Sequence, residues 1–165
     1  MHECLKRSTD SDRLIFQSSI PAYLKVELER LLFFNPSQRR YAEHIIKSVD
    51  RLGKLEILQN ESNLSLAVSE NIQVQNLFVF DQICDNSKTL VAAAIYTRHP
   101  LDRLLLLHIA VDPNYTLGGA YEDCLVTFQL IQKIIAIGKA IKGVDKIEII
   151  YGERSHKLLM LNLLH

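Results

Sequence analysis

Apolar residues return at helical spacing near the start of the chain and at strand spacing in its middle. Leu24, Leu28, Leu31 and Leu32 line one side of a helix, with Ser18 or Ser19 as cap and Pro21 in its early turn. Arg13 to Gln17 is a short first strand ahead of it. Asn35 and Pro36 repeat the cap-then-proline signal, and a second helix runs to about Leu52, stopped by Gly53. Its charged side (Arg39, Arg40, Glu43, Lys47, Asp50, Arg51) reads as a solvated face. From Leu55 the pattern changes. Leu55–Leu58 and Leu64–Ser69 are short strands, and Ile72–Phe80 alternates and then becomes continuously apolar. Asp81 to Lys88 carries turn residues, Thr89–Thr97 is the return strand and Arg103–Val111 the next.

Ala120 to Lys142 then reads as a long helix, apolar on most sides and therefore buried. Gly143 ends it. Asp145–Tyr151 is a further strand, and after Gly152 the stretch ERSHKLLMLNLLH reads as a last helix. The order is two helices, a strand meander, then strand–helix–strand–helix. It predicts an α+β fold with a mixed, mostly antiparallel sheet flanked by helices. The strands either side of the long helix should run parallel.

Composition narrows the class. At 165 residues, one domain spanning 1–165 is expected, with residues 1–12 a disordered polar tail. Nineteen basic side chains cancel nineteen acidic ones, which argues against a nucleic-acid binder. Cys4, Cys84 and Cys124 are odd in number and far apart, so they suggest neither a disulfide framework nor a metal site. A cytoplasmic location follows as the expectation, since the start lacks a signal peptide's apolar core and no run approaches a membrane span.

The junction LLLLHIAVDPNYTLGG, Leu104 to Gly119, carries the chemistry. A strand stops at Asp-Pro, turns, and reaches paired glycines ahead of a helix. Val111, Pro113, Tyr115 and Gly119 in this order resemble the core of the GNAT N-acetyltransferase superfamily, of which the chain would be a divergent member. The hairpin FVFDQICDNSKTLVAAAIYT is similar to the family's second and third strands, and DKIEIIY to its fifth; the likeness covers roughly Asn76 to Gly152. It implies transfer of an acyl group from acetyl-CoA or another acyl-CoA to a small-molecule or peptide amine. It also implies that one strand splays from its neighbour, and that the cofactor lies along Ile109, Val111, Thr116, Leu117, Gly118, Gly119 and Ala120. The physical basis is general: the first turn of a helix offers unpaired N–H groups and a positive dipole end, and glycine lets a phosphate approach.

The chain departs from the family at this loop. Thr116 stands where the family has a long polar arm and Tyr121 where it has a second small residue. Glu122 and Asp123 place carboxylates where pyrophosphate would sit. An inactive GNAT-like binding module is therefore the alternative to an enzyme, and an α+β domain unrelated to the family is a third reading. Catalytic candidates are weak: His108 in the strand before the loop, Tyr151 at the end of the fifth strand, and His156 near the start of the last helix. The favoured reading of His108 is a hydrogen-bonded core or edge histidine, and that of His156 an exposed surface one. The family's final strands are expected to be missing, leaving Lys146–Tyr151 with a bare edge; a homodimer is expected that closes this edge or packs the apolar face Leu158, Leu159, Leu161, Leu163 and Leu164. No metal, nucleic acid or membrane is expected to take part.

Overall fold

A computed structural model of the chain describes residues 13–33, 55–68, 73–82, 87–98, 102–151 and 155–160, with 150, 151 and 155–160 as backbone only. The expected second helix, the polar tail and the end of the chain beyond Met160 lie outside the described residues. In chain order the elements are β1 (Leu14–Gln17), β2 (Ile20–Pro21), α1 (Lys25–Phe33), β3 (Leu55–Asn60), β4 (Asn63–Val68), β5 (Gln75–Gln82), β6 (Lys88–Thr97), β7 (Arg103–Val111), α2 (Val126–Ala140), β8 (Lys146–Tyr151) and β9 (Ser155–Met160). The fold is α+β, as the sequence pattern predicts. A six-stranded mixed sheet runs β1-β5-β6-β7-β8-β9, and a second sheet of three strands runs β2-β4-β3. All pairings are antiparallel except β7 with β8, the pair that α2 connects.

Both faces of the large sheet are covered, which explains why β5 to β7 read as nearly continuous apolar runs. On one face α2 packs Val126, Leu130 and Ile134 against Leu77, Val79, Ala94, Leu104 and Leu106. On the other, α1 (Leu28, Leu31, Leu32) and the small sheet (Ile20, Leu64, Leu66, Val68) pack against Phe78, Phe80, Ile95 and Leu107. Two bulges interrupt the alternation. Val91 is the extra residue between Val79↔Ala92 and Phe80↔Leu90, and Leu107 is the extra residue between Ile95↔His108 and Tyr96↔Leu106. Each bulge bends its strand and re-aims the side chains beyond it.

Three expectations are corrected here. Helix α2 begins at Val126 and not Ala120, because Glu122–Cys124 forms its own 3-10 turn and Leu125 adopts a left-handed conformation, φ 47°. Helix α2 is also not buried all round: one stripe faces the sheet, while Phe128 remains 59% exposed. Finally, the segment after Gly152 is strand β9, not a helix. KLLML is a short apolar run whose period fits either element. The open edge of β8 decides it, since pairing Lys146↔Met160 through Tyr151↔Ser155 satisfies a row of backbone groups that a helix would leave bare. That edge is therefore covered within the chain, and the ground for expecting a homodimer to close it is removed.

Leu130 is fully enclosed under α2. Leu130→Ala should cost about 2–5 kcal/mol in urea unfolding, against about 0.5 kcal/mol or less for Phe128→Ala on the outer side. Equal costs would contradict the docking of α2 on this face.

Candidate functional site

The junction singled out in the sequence lies at a fork in the sheet. Strands β7 and β8 share four residue pairs, Arg103↔Lys146 to Leu106↔Ile149, and the ladder then ends. Beyond it β7 continues to Val111 and β8 to Tyr151. The closed end is held by charge: Arg103 bonds Asp102 at 3.1 Å and Glu148 at 3.0 Å, Lys146 reaches Asp102 at 3.4 Å, and the Asp145 N–H donates to the Asp102 carbonyl at 2.9 Å. The Arg103 and Lys146 contacts hold the Asp102 carboxyl below the usual carboxylate range.

The loop from Asp112 to Leu125 leaves the end of β7, and its side chains reach back over β6 and β5 to Arg13. Its start is fixed by Asp112, whose N–H donates to the carbonyl of the bulge residue Val91 at 2.8 Å and whose Oδ1 accepts the Asn114 N–H at 2.9 Å. Pro113–Tyr115 is one 3-10 turn, pre-set by the proline. Tyr115 then points inward. Its hydroxyl donates to Asp81 Oδ2 at 2.6 Å, and the same carboxylate takes two bonds from Arg13, at 2.7 and 2.6 Å. Asp81 is wholly buried in β5, while a quarter of the Arg13 side chain reaches solvent. Burial, reinforced by the bond to Asp81, raises the Tyr115 hydroxyl above its ordinary range. Tyr121 completes the cluster: its ring lies 5.0 Å from that of Tyr115, and the Arg13 guanidinium stands 5.6 Å from its centroid.

This cluster draws the loop closed. The Tyr121 N–H donates to the Asn114 carbonyl at 2.7 Å, the Gly119 N–H to Thr116 at 2.9 Å and the Glu122 N–H to Gly119 at 3.3 Å. Only glycine fits at 119, because a Cβ there would run into the backbone of Pro113 and Asn114. Gly118 takes a positive φ of 83°, and its N–H holds the Glu122 carboxylate at 2.7 Å. The chain's own carboxylate thus occupies the kind of amide that an anion would otherwise take.

The residues expected along the cofactor have mixed fates. Ile109 is half-buried and Val111 buried, both against the α2-side core, and the Thr116 hydroxyl donates to the Pro113 carbonyl at 2.8 Å. Leu117 is 98% exposed and Ala120 is exposed. Gly118 and Gly119 lie in the loop, separated from the first turn of α2 by the Glu122–Cys124 turn. Cys124 is buried at the end of that turn and not inside the helix.

Of the catalytic candidates, His108 follows the β7 bulge, is 5% exposed, and leaves Nε2 without a hydrogen-bond partner. Burial lowers its pKa to about 4, so at neutral pH it is uncharged and a poor proton acceptor. The backbone places Tyr151 at the end of β8, paired with Ser155, and His156 in β9 opposite Ile150. His108 and Tyr151 thus lie past the last β7–β8 pair, while His156 stands on the far side of β8, in the strand beyond it. Among the described residues, no three metal-ligating side chains gather and no helix is long and apolar enough to cross a membrane. No family model, no curated protein and no solved structure matches this chain.

Arg13 and Asp81 are the site residues that sequence reading misses. Asp81 looked like turn chemistry; a lone Asp directly after the apolar run LFVF was the available signal. Two outcomes follow. Arg13→Met, which strands a buried carboxylate, should cost about 3–5 kcal/mol in urea unfolding. Asp81→Asn should cost less, because Arg13 can turn to solvent; the reverse order would mean the pair is not the anchor. Separately, His108 takes up its proton near 6.5 when unfolded and near 4 when folded. The unfolded chain therefore binds more protons between those values, and stability falls as pH drops through that window, by about 3 kcal/mol in all. His108→Gln should flatten that segment of the stability–pH curve; an unchanged slope would contradict the burial of a neutral imidazole.

Proposed function

We propose that this chain is a GNAT-like domain that serves as a binding module and does not turn over acyl-coenzyme A. Membership of that class is supported by the parallel β7–β8 pair, whose ladder ends after Leu106, and by the VDPNYTLGG sequence that joins β7 to the segment leading into α2. The reading against turnover is carried by the 2.7 Å bond from the Gly118 N–H to the Glu122 carboxylate. A pyrophosphate would have to displace that carboxylate, and would meet negative charge in doing so. The neighbouring amides of Gly119, Tyr121 and Glu122 are also spent on the loop's own carbonyls. An uncharged His108 adds no strong base to offset this.

A second reading is favoured by one observation, the parting of β7 and β8 after Leu106. A fork of that kind is where the family's acyl-CoA would lodge, and an acyltransferase with a displaceable Glu122 would use it.

Thermal unfolding with acetyl-CoA separates the two. The binding-module reading expects no change in Tm for the wild-type chain at millimolar cofactor. Tyr121→Gly combined with Glu122→Ala should gain affinity, since both the ring and the competing carboxylate are removed. A ligand at about a hundred times its Kd stabilises by about 2.7 kcal/mol, or roughly 5–10 °C for a chain of this size. A wild-type shift of that order would reverse the choice in favour of the enzyme.

A further inference from the structure

The small sheet ends on β3, and the outer side of that strand is unguarded. The connection Glu61–Ser62, with Glu61 at φ 38°, makes Asn60↔Asn63 the closing hydrogen-bonded pair of the β3–β4 hairpin. Bonded and non-bonded pairs alternate, so Leu58↔Ser65 and Glu56↔Ala67 are bonded too. The other side of β4 agrees. Leu64 is left to bond Ile20 in β2, and the Ala22 N–H reaches the Ser62 carbonyl at 2.8 Å. The backbone N–H and C=O groups of Leu55, Ile57 and Gln59 therefore point away from β4, and among the described residues no strand pairs with them. Sheet edges are ordinarily blunted by shortness, Lys, Pro or a bulge. Strand β1 is four residues long, β2 is two residues long and holds Pro21, and β9 carries Lys157. Strand β3 has none of these: it is six residues, LEILQN, with one charge and an unbroken register. Leu58 on its outer face is 45% exposed, and Leu55 and Ile57 on the inner face are only half-buried.

We propose that β3 pairs antiparallel with β3 of a second copy of this chain, joining the two small sheets into one. The edge fits itself. A two-fold axis beside Ile57 sets Ile57 opposite its own copy and Leu55 opposite Gln59, so every outward N–H and C=O finds a partner. The two Ile57 side chains then meet on the inner face, continuing the layer that already holds Leu64 and Leu66. On the outer face the strand's one charge, Glu56, falls opposite Leu58 and not opposite itself, which avoids a direct like-charge pair. The joined sheet ends on β2 at both sides, where Pro21 and the shortness of the strand admit no further ladder. The assembly thus closes as a dimer and does not grow into a fibre. A ladder of six residues buries less than the roughly 1,200 Å² of a standard interface, so dissociation is expected at roughly tens to hundreds of micromolar. No residue of the loop after β7 takes part, so the pairing stands or falls apart from acyl-CoA binding.

The test is sedimentation velocity of the full chain from about 10 µM to about 1 mM, with residue-by-residue amide exchange on 15N-labelled protein over the same range. Protection of the Leu55, Ile57 and Gln59 amides that appears together with the dimer supports the pairing. Two variants at the exposed Leu58 read its register. Leu58→Glu sets a carboxylate opposite Glu56 of the second copy and should weaken association at least about tenfold, because the two-fold repeats the contact. Leu58→Lys sets an ammonium there and should stay within about threefold of the wild type. Equal weakening by both variants overturns the proposal, as does a chain that stays monomeric to about 1 mM. A dimer that leaves the Ile57 amide unprotected means that the copies meet elsewhere, and an Ile57 amide already protected in the monomer means that the chain covers this edge itself. Either result also overturns it.

Discussion

A buried carboxylate holds the loop after β7 in place. Asp81 lies with no solvent exposure inside β5, where an unpaired charge would be prohibitive. It is tolerated because both oxygens are engaged, by two bonds from Arg13 and one from Tyr115. Those three groups come from β5, from the residue just before β1, and from the loop after β7. The pair does more for geometry than for net stability, as buried ion pairs commonly do. It brings the first strand to the loop across the whole chain, and the stacked Tyr121 and cationic Arg13 pull the loop's second half over the first.

With the loop so held, its amides have little choice. Tyr121 is brought to Asn114, Gly119 is wedged against the same turn, and Glu122 falls within reach of the Gly118 N–H. Strands β7 and β8 are stapled by Arg103, Lys146 and Asp102 at one end and part at the other.

Much of the architecture was legible in residue pattern. Arg103–Val111 is a strand with the predicted bounds, and Thr89–Thr97 and Asp145–Tyr151 differ by one residue at a single end. These runs are long or bounded by turn residues, so local preference and tertiary demand agree. The misreadings share a cause. Ala120–Leu125 has helix-compatible residues, yet the Tyr121–Tyr115 stack and the Asn114 carbonyl take it out of the helix. KLLML could join either kind of element, and the open edge of β8 made it a strand. Asp81 looks like a turn residue until Arg13, 68 positions away, is set beside it.

The sequence by itself determined the mixed α+β class, the parallel pair around the long helix, and the strand-to-turn break at Asp112-Pro113, because these rest on period, glycine and proline, which act within a few residues. Tertiary structure alone decided where the fork opens and that Glu122 faces back onto Gly118. Those depend on strand register and on two bulges, and register is set by the packing of both faces at once.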